Sequence, residues 1–220
     1  MIRVNITAEG FSEELFVKKI LAPHLWNKFN IHTEVRKILT SRRLGKRGGM
    51  VSYGKFKNDV EQWIKESPQI HHTTLIDLYG LKDDFPGYKS SKRLDAYTKV
   101  EKIESSLSDS IKCRNFIPYI QLHEFESLLF SDPIQMEEWL KLHNPLMLKS
   151  CFMKIRNEYS TPEEINDSYE TAPSKRIIKY CPDYDKVNDG ILILEEIGLK
   201  TIRKECQHFD EWLTKLEHLK

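Results

Sequence analysis

Four short β-type runs, each followed by residues at helical spacing, limit what this chain can fold into. Ile2, Val4 and Ile6 alternate with Arg3, Asn5 and Thr7, the period of a strand. His32–Leu39, Thr73–Leu78 and Phe116–Leu122 are the other runs, and Pro118 confines the last to a strand start or a sheet edge. Between them, Phe16, Val17, Ile20 and Leu21 make one apolar helix face, with Pro23 set to kink or end that helix. Phe56, Val60, Trp63 and Ile64 make a second face, and Tyr97, Val100, Ile103, Leu107 and Ile111 a third. The alternation predicts an α/β fold with a mostly parallel sheet flanked by helices. From about Pro133 the chain turns helical, and Ile202, Cys206, Phe209, Leu213 and Leu216 step by four and three into a last, core-facing helix. The expected division is an α/β core over residues 1–132 and a helical C-terminal extension over 133–220.

The 220 residues, 40% of them hydrophobic, can bury a sizeable core, and near-balanced charge (34 Lys and Arg against 33 Asp and Glu) argues against disorder. No run approaches the ~20 apolar residues that span a bilayer, and the N-terminus lacks the apolar stretch of a signal peptide. Cys113, Cys151, Cys181 and Cys206 are widely spaced, with no C-x-x-C pair, so they are expected to be reduced thiols, mostly core filler. A cytoplasmic protein without membrane contact is the expectation. The net charge of +1 conceals an uneven distribution. Arg36, Lys37, Arg42, Arg43, Lys46, Arg47, Lys55 and Lys57 follow one another with no acid between them.

The informative acids stand where strands end. Glu9 follows the first, Asp77 ends the third, and Glu124 with Glu126 follows the fourth. In open α/β sheets, sites form beyond the carboxyl ends of the strands. Carboxylates delivered there by three strands suit a hard divalent cation, Mg2+ or Mn2+, which would accept a phosphate oxygen and acidify a water. Ser12 reads as a helix N-cap, which would put Glu13 on the first turn, facing back toward Glu9; complementing the helix dipole is its plainer role. Asp77 lies within the apolar run Leu75-Ile-Asp-Leu-Tyr79, where an acid is costly unless partnered. Glu124 and Glu126 point the same way if Phe125 is in a strand, and diverge by about 200° in a helix. His123 and the pair His71-His72 are more simply hydrogen-bonded structural residues than ligands, and no His and Cys set has zinc spacing.

Other chemistries lack their signatures. There is no G-x-S-x-G nucleophile elbow and no G-x-x-x-x-G-K-[ST] phosphate loop. The basic segment around Gly45-Lys-Arg-Gly-Gly49 reads as a loop, either a solvated surface or a grip on a phosphate backbone. Arg42, Arg43, Lys46 and Arg47 are its candidates for nucleic-acid contact, joined by Lys175 and Arg176 after Pro173.

Taken in order, Ala8-Glu-Gly-Phe-Ser-Glu13, Leu75-Ile-Asp-Leu-Tyr-Gly-Leu81, Asp84-Phe-Pro-Gly87 and His123-Glu-Phe-Glu-Ser-Leu-Leu-Phe130 resemble a bacterial family of Toprim-like proteins, domain of unknown function 4276. The likeness continues through Pro173-Ser-Lys-Arg-Ile177 to Trp212-Leu213, nearly the whole chain. The resemblance implies a Toprim-like core, as in topoisomerases, primases and the overcoming-lysogenization-defect nucleases, which bind divalent metal through an E-G-x-x-E element and an aspartate strand. Glu9 and Glu13 match the two glutamates, Asp77 the first aspartate of the D-x-D pattern, and Glu124 a further acid. Tyr79 stands where the pattern has its second aspartate, a gap that Asp83, Asp84 or Glu126 would have to fill if two ions are held. The family is similar to proteins encoded beside ABC-type ATPases in bacterial defence islands, which implies an effector working with such an ATPase.

Three activities compete on these residues. The leading expectation is a metal-dependent nuclease acting on DNA or a tRNA-like RNA. Glu9, Asp77 and Glu124 would be catalytic, with Glu13 and Glu126 as further ligands. The alternative is a non-catalytic adaptor or regulatory subunit of the ATPase, which Tyr79 favours. A primase-type nucleotidyl transfer is the third.

Overall fold

The computed structural model describes residues 1–41, 43–143, 150–166 and 169–220. They form two compact units, Met1–Gln121 with Trp212–Lys220, and Leu122–Glu211. The first contains β1 (Ile2–Ala8), α1 (Phe11–Phe16), α2 (Ala22–Phe29), β2 (Ile31–Lys37), β3 (Leu39–Ser41), β4 (Lys46–Arg47) and α3 (Tyr53–Glu66). After these come β5 (His71–Asp77), α4 (Ala96–Ile111), β6 (Phe116–Ile117) and β7 (Ile120–Gln121). The main sheet runs β2-β1-β5-β6, with β7 also on β5, and every pairing in it is parallel. The α/β class expected from the alternation is the one observed.

A parallel sheet is covered on both faces, so the polar positions of its inner strands are buried as well. Asn5 and Thr7, which the alternation of β1 would put on an open face, are buried along with Val4 and Ile6. In β5, everything from His72 to Asp77 is buried. The register sets Ala8 against Leu75, so β1 and β5 end side by side and their next residues leave the sheet at the same edge.

Four local departures from the sequence expectations have physical causes. The first helix is capped by Gly10, two residues before Ser12, because Glu13 reaches back to accept from the Gly10 N–H at 2.7 Å. Pro23 does not end the helix. A π-turn over Val17–Leu21, closed by the Ala22 N–H on the Val17 carbonyl, widens the coil just where the proline ring would otherwise strike the preceding turn. The basic segment is not wholly loop, since β3 and β4 pair antiparallel across a short turn. The run Phe116–Leu122 breaks into β6 and β7 at Pro118, which has no N–H to offer. There the Thr74 hydroxyl stands in for the ladder, donating to the Tyr119 carbonyl at 2.7 Å and accepting from the Tyr119 N–H at 2.8 Å. Both pieces lie on the edge side of β5, where a proline costs least.

The second unit begins with a 3-10 helix, Phe125–Ser131, followed by α5 (Pro133–His143), α6 (Cys151–Arg156), α7 (Pro173–Tyr180) and α8 (Asn188–Glu205). Its boundary falls inside α9 (Gln207–Glu217), so that Trp212–Lys220 groups with the sheet. The stripe from Ile202 to Leu216 is buried throughout, as its spacing predicts, but it spans two helices broken at Cys206. The break is held by Glu163, fully buried, which accepts from the N–H groups of His208 and Phe209 at 3.0 and 3.1 Å. Glu137 does the same for α6, accepting from Ser150 and Phe152 at 2.8 and 2.9 Å. All four cysteines are free thiols, and Cys151, Cys181 and Cys206 are buried.

Candidate functional site

The first unit gathers Glu9, Glu13 and Asp77 at the carboxyl edge of its sheet. Glu9 continues β1 by one residue, its N–H still donating to the Leu75 carbonyl at 3.0 Å. Its carboxylate then turns across to the neighbouring strand, where Oε2 accepts from the Asp77 N–H at 3.1 Å. Asp77 is 7% exposed and Glu13 4%. Two glycines make the room that these carboxylates occupy. A β-carbon on Gly10 would stand 2.9 Å from Glu13 Oε2, and one on Gly80 would stand 2.9 Å from Glu9 Oε1. The E-G-x-x-E element is therefore a geometric unit in which the glycine admits the second glutamate. Glu13 spends one oxygen on fixing the helix start beside Glu9.

Glu14 is engaged by lysines, bonding Lys18 at 2.8 Å and pairing with Lys37. Burial pushes its carboxyl up, but the two ammonium groups outweigh burial and hold it below the usual value. It serves the dipole-complementing role open to both glutamates of the first turn.

The basic segment is tied to the same edge. The Gly49 N–H donates to the Glu9 carbonyl at 2.8 Å and the Gly48 N–H to the Ile38 carbonyl at 2.9 Å. Met50 Cβ would be 3.5 Å from a β-carbon on Gly80. Part of its charge is structural, however. Arg47 donates to the Lys37 carbonyl at 2.7 Å and lies 3.7 Å from Asp59. Arg36 donates to the Asp59 carbonyl at 2.7 Å and stacks 4.2 Å over the Trp63 ring. Lys57 donates to the Ser110 carbonyl at 2.8 Å. Arg43, Lys46 and Lys55 are exposed. Arg42 lies outside the described residues.

Asp59 is the acid that the sequence reading passed over. It is 4% exposed and accepts from the Leu39 N–H at 3.0 Å, so it organises the root of the β3–β4 hairpin. The signal was present, because position 59 falls on the apolar stripe Phe56, Val60, Trp63, where an acid demands partners as Asp77 does.

Glu124 and Glu126 belong to the second unit. Glu124 caps the 3-10 helix, and its Oε2 accepts from the Ser174 N–H at 3.0 Å, at the start of α7. It thereby resembles Glu137 and Glu163, which hold other helix starts in that unit. Glu126, 1% exposed, is 2.8 Å from Lys186 Nζ. Arg176 donates to the Thr171 carbonyl and to the Tyr159 hydroxyl, both at 2.6 Å, while Lys175 is exposed. His72 bonds the Ser67 carbonyl at 3.2 Å and His123 bonds Asn166 at 3.1 Å, the structural roles expected of them. Asp84 accepts from the Tyr53 N–H at 3.0 Å and so starts α3, and Asp83 is exposed.

The donors at the sheet edge are oxygens only, which suits magnesium or manganese and not zinc. Among the described residues no group of three or more His, Cys, Asp and Glu side chains forms a metal-holding cluster. Glu9 and Asp77 are the carboxylates that would hold such an ion, one that keeps most of its waters and takes one or two carboxylates, as magnesium does.

Fold and site together define an α/β protein with acids at the ends of adjacent parallel strands. The chain belongs to the family described as Domain of unknown function (DUF4276), whose model matches residues 8–217. No curated protein matches it. Among solved structures it is similar to the C-terminal region of the Xanthomonas campestris pv. campestris OLD protein. The iodine-phased structure is 17% identical with a TM-score of 0.40, covering 100% of this chain and 99% of that one. The platinum-phased structure is 15% identical with a TM-score of 0.44, covering 99% and 96%. Among the described residues no helix is long and apolar enough to cross a membrane.

Proposed function

We propose that this protein is a Mg2+- or Mn2+-dependent nuclease with a Toprim-like core, hydrolysing phosphodiester bonds in DNA or RNA in the cytoplasm. The observation that carries the reading is the Glu9 residue itself. Its side chain bonds the Asp77 N–H at 3.1 Å while its carbonyl takes the Gly49 N–H of the basic segment at 2.8 Å. Acids for a cation and cations for a phosphate backbone thus share one residue as their joint, which is the combination that phosphodiester cleavage needs.

In this reading Glu9 and Asp77 hold the ion, and Glu13 keeps the start of α1 in place beside them. Arg43 and Lys46 attract the backbone, each neutralised phosphate adding salt-dependent affinity. A bound divalent ion supplies a Lewis acid for the phosphate oxygen and a water of lowered pKa. Following the family resemblance, the partner is an ABC-type ATPase and the setting anti-phage defence.

A second reading, the non-catalytic adaptor of that ATPase, draws on Tyr79 at the position of the second Toprim aspartate. Cleavage assays with Mn2+ separate the two. The nuclease reading expects cleavage by the wild type, with or without the ATPase, to be lost in Glu9→Gln and in Asp77→Asn. Unchanged cleavage in both variants would overturn the site. ATPase binding by a wild type that never cleaves would select the adaptor.

A further inference from the structure

Two aromatic rings stand where the acids of the site leave the sheet. Phe11, the first residue of α1, is two residues beyond Glu9, and Tyr79 is two beyond Asp77, after strands that are neighbours in the sheet. Phe11 is 59% exposed and Tyr79 42%, whereas Phe16, Phe56 and Phe85 of the same unit are buried. Burial would stabilise each ring by roughly 1.5–3 kcal/mol, a gain that both forgo where they stand. Lys37 Nζ lies 3.7 Å from the Phe11 ring centroid, which sets a cation against one face of that ring. The exposed Arg43 and Lys46 belong to the segment bonded to Glu9.

We infer that Phe11 and Tyr79 are stacking platforms for bases, so that the substrate class of this site is single-stranded nucleic acid. The inference rests on the nuclease reading and deepens it. In a duplex the bases are stacked on one another and turn only their edges outward, leaving no face for an aromatic ring beside the scissile phosphate. In a single strand every base offers a face, and stacking on aromatic side chains is tolerant of sequence. Phe11 and Tyr79 each follow an acid of the site by two residues, at the edge where β1 and β5 end. A single strand whose phosphate meets those acids would find exposed rings at the same edge.

The test measures binding by fluorescence anisotropy, with Ca2+ in place of Mg2+ to suppress turnover. The probes are single-stranded oligothymidylate and oligouridylate, a duplex of equal length, and an abasic strand with the same phosphates. At least one single strand is expected to bind more tightly than the duplex and the abasic strand. Phe11→Ala and Tyr79→Ala are each expected to weaken that binding roughly ten-fold. Phe11→Trp and Tyr79→Phe are expected to restore it, and Mn2+ affinity is expected to stay unchanged in all four variants. Trp26→Ala, an exposed ring on α2 near the start of β2 and hence at the opposite edge, controls for general aromatic stickiness. Equal binding of duplex and single strand, equal binding of the abasic strand, or no effect of either alanine variant overturns the inference. Those results leave the metal site standing. Failure of the nuclease reading shows separately, as cleavage unchanged in both Glu9→Gln and Asp77→Asn or absent from the wild type.

Discussion

Gly80 and Glu9 are fitted to each other: a β-carbon on Gly80 would lie 2.9 Å from Glu9 Oε1. The obstacle is the far end of a side chain, and Gly80 is not among the positive-φ glycines, so an alanine is accommodated by moving the carboxylate and not the backbone. Gly80→Ala is therefore expected to weaken Mn2+ binding by about ten-fold or more, as displacing a ligand's supporting shell does. Its Tm should stay within about 3 °C of wild type. Calorimetric titration and thermal unfolding of the same preparation check both halves.

Gly87 gives the contrasting case. Its φ is +82°, and a β-carbon there would lie 2.7 Å from Ser106 Oγ, 3.0 Å from the Lys102 carbonyl oxygen and 3.2 Å from Ile103 Cα. Strain and backbone collision act together, so Gly87→Ala is expected to cost about 3 kcal/mol. A fall in Tm of about 6–12 °C in a melting experiment is the corresponding outcome.

Glu163 ties the start of α9 from a distance in sequence. Removing its carboxyl leaves the His208 and Phe209 N–H groups buried without their acceptor. Glu163→Ala is expected to destabilise by about 2–3 kcal/mol, and Glu163→Gln by less, because the amide oxygen still accepts. Urea unfolding curves of the two variants check the order.

Burial lowers the pKa of His72, the bond to the Ser67 carbonyl opposes that shift, and the nearby Arg36 adds to it. A histidine with a depressed folded pKa is protonated more readily in the unfolded chain. Its contribution to stability is thus complete above the unfolded value of 6.5 and is lost as pH falls from there toward the folded pKa. Stability measured by urea is expected to decline on acidification below about pH 6.5, and His72→Gln is expected to flatten that slope.

What the sequence disclosed follows from how local each signal is. The α/β class was legible because alternation in β1 and the stripes of α3 and α4 are written within a few residues of each other. Glu9 and Asp77 were legible as strand-end acids, and β1–β5 pairing brings the Glu9 carboxylate to the Asp77 N–H. The capping residue of α1 was misjudged because the deciding interaction is Glu13 reaching back to Gly10, which makes glycine a better cap here than Ser12. The basic run overstated its free charge, since Arg36 and Arg47 answer Asp59, an acid some 12–23 positions away that the turn of the hairpin brings round. Glu124 follows a strand as Glu9 does, and no short-range pattern announces its bond to Ser174, 50 positions off. Glu137 and Glu163 were invisible for the same reason.

The most direct measurement is Mn2+ binding by calorimetry at neutral pH, comparing wild type with Asp77→Asn. The amide keeps the size of the side chain and leaves untouched the Asp77 backbone N–H on which Glu9 rests, so only the charge and one donor oxygen change. The account predicts saturable binding by the wild type that weakens at least ten-fold in the variant while the Tm is maintained. Equal binding by the two proteins, or none by a folded wild type in the presence of single-stranded nucleic acid, would contradict a metal site at Glu9 and Asp77.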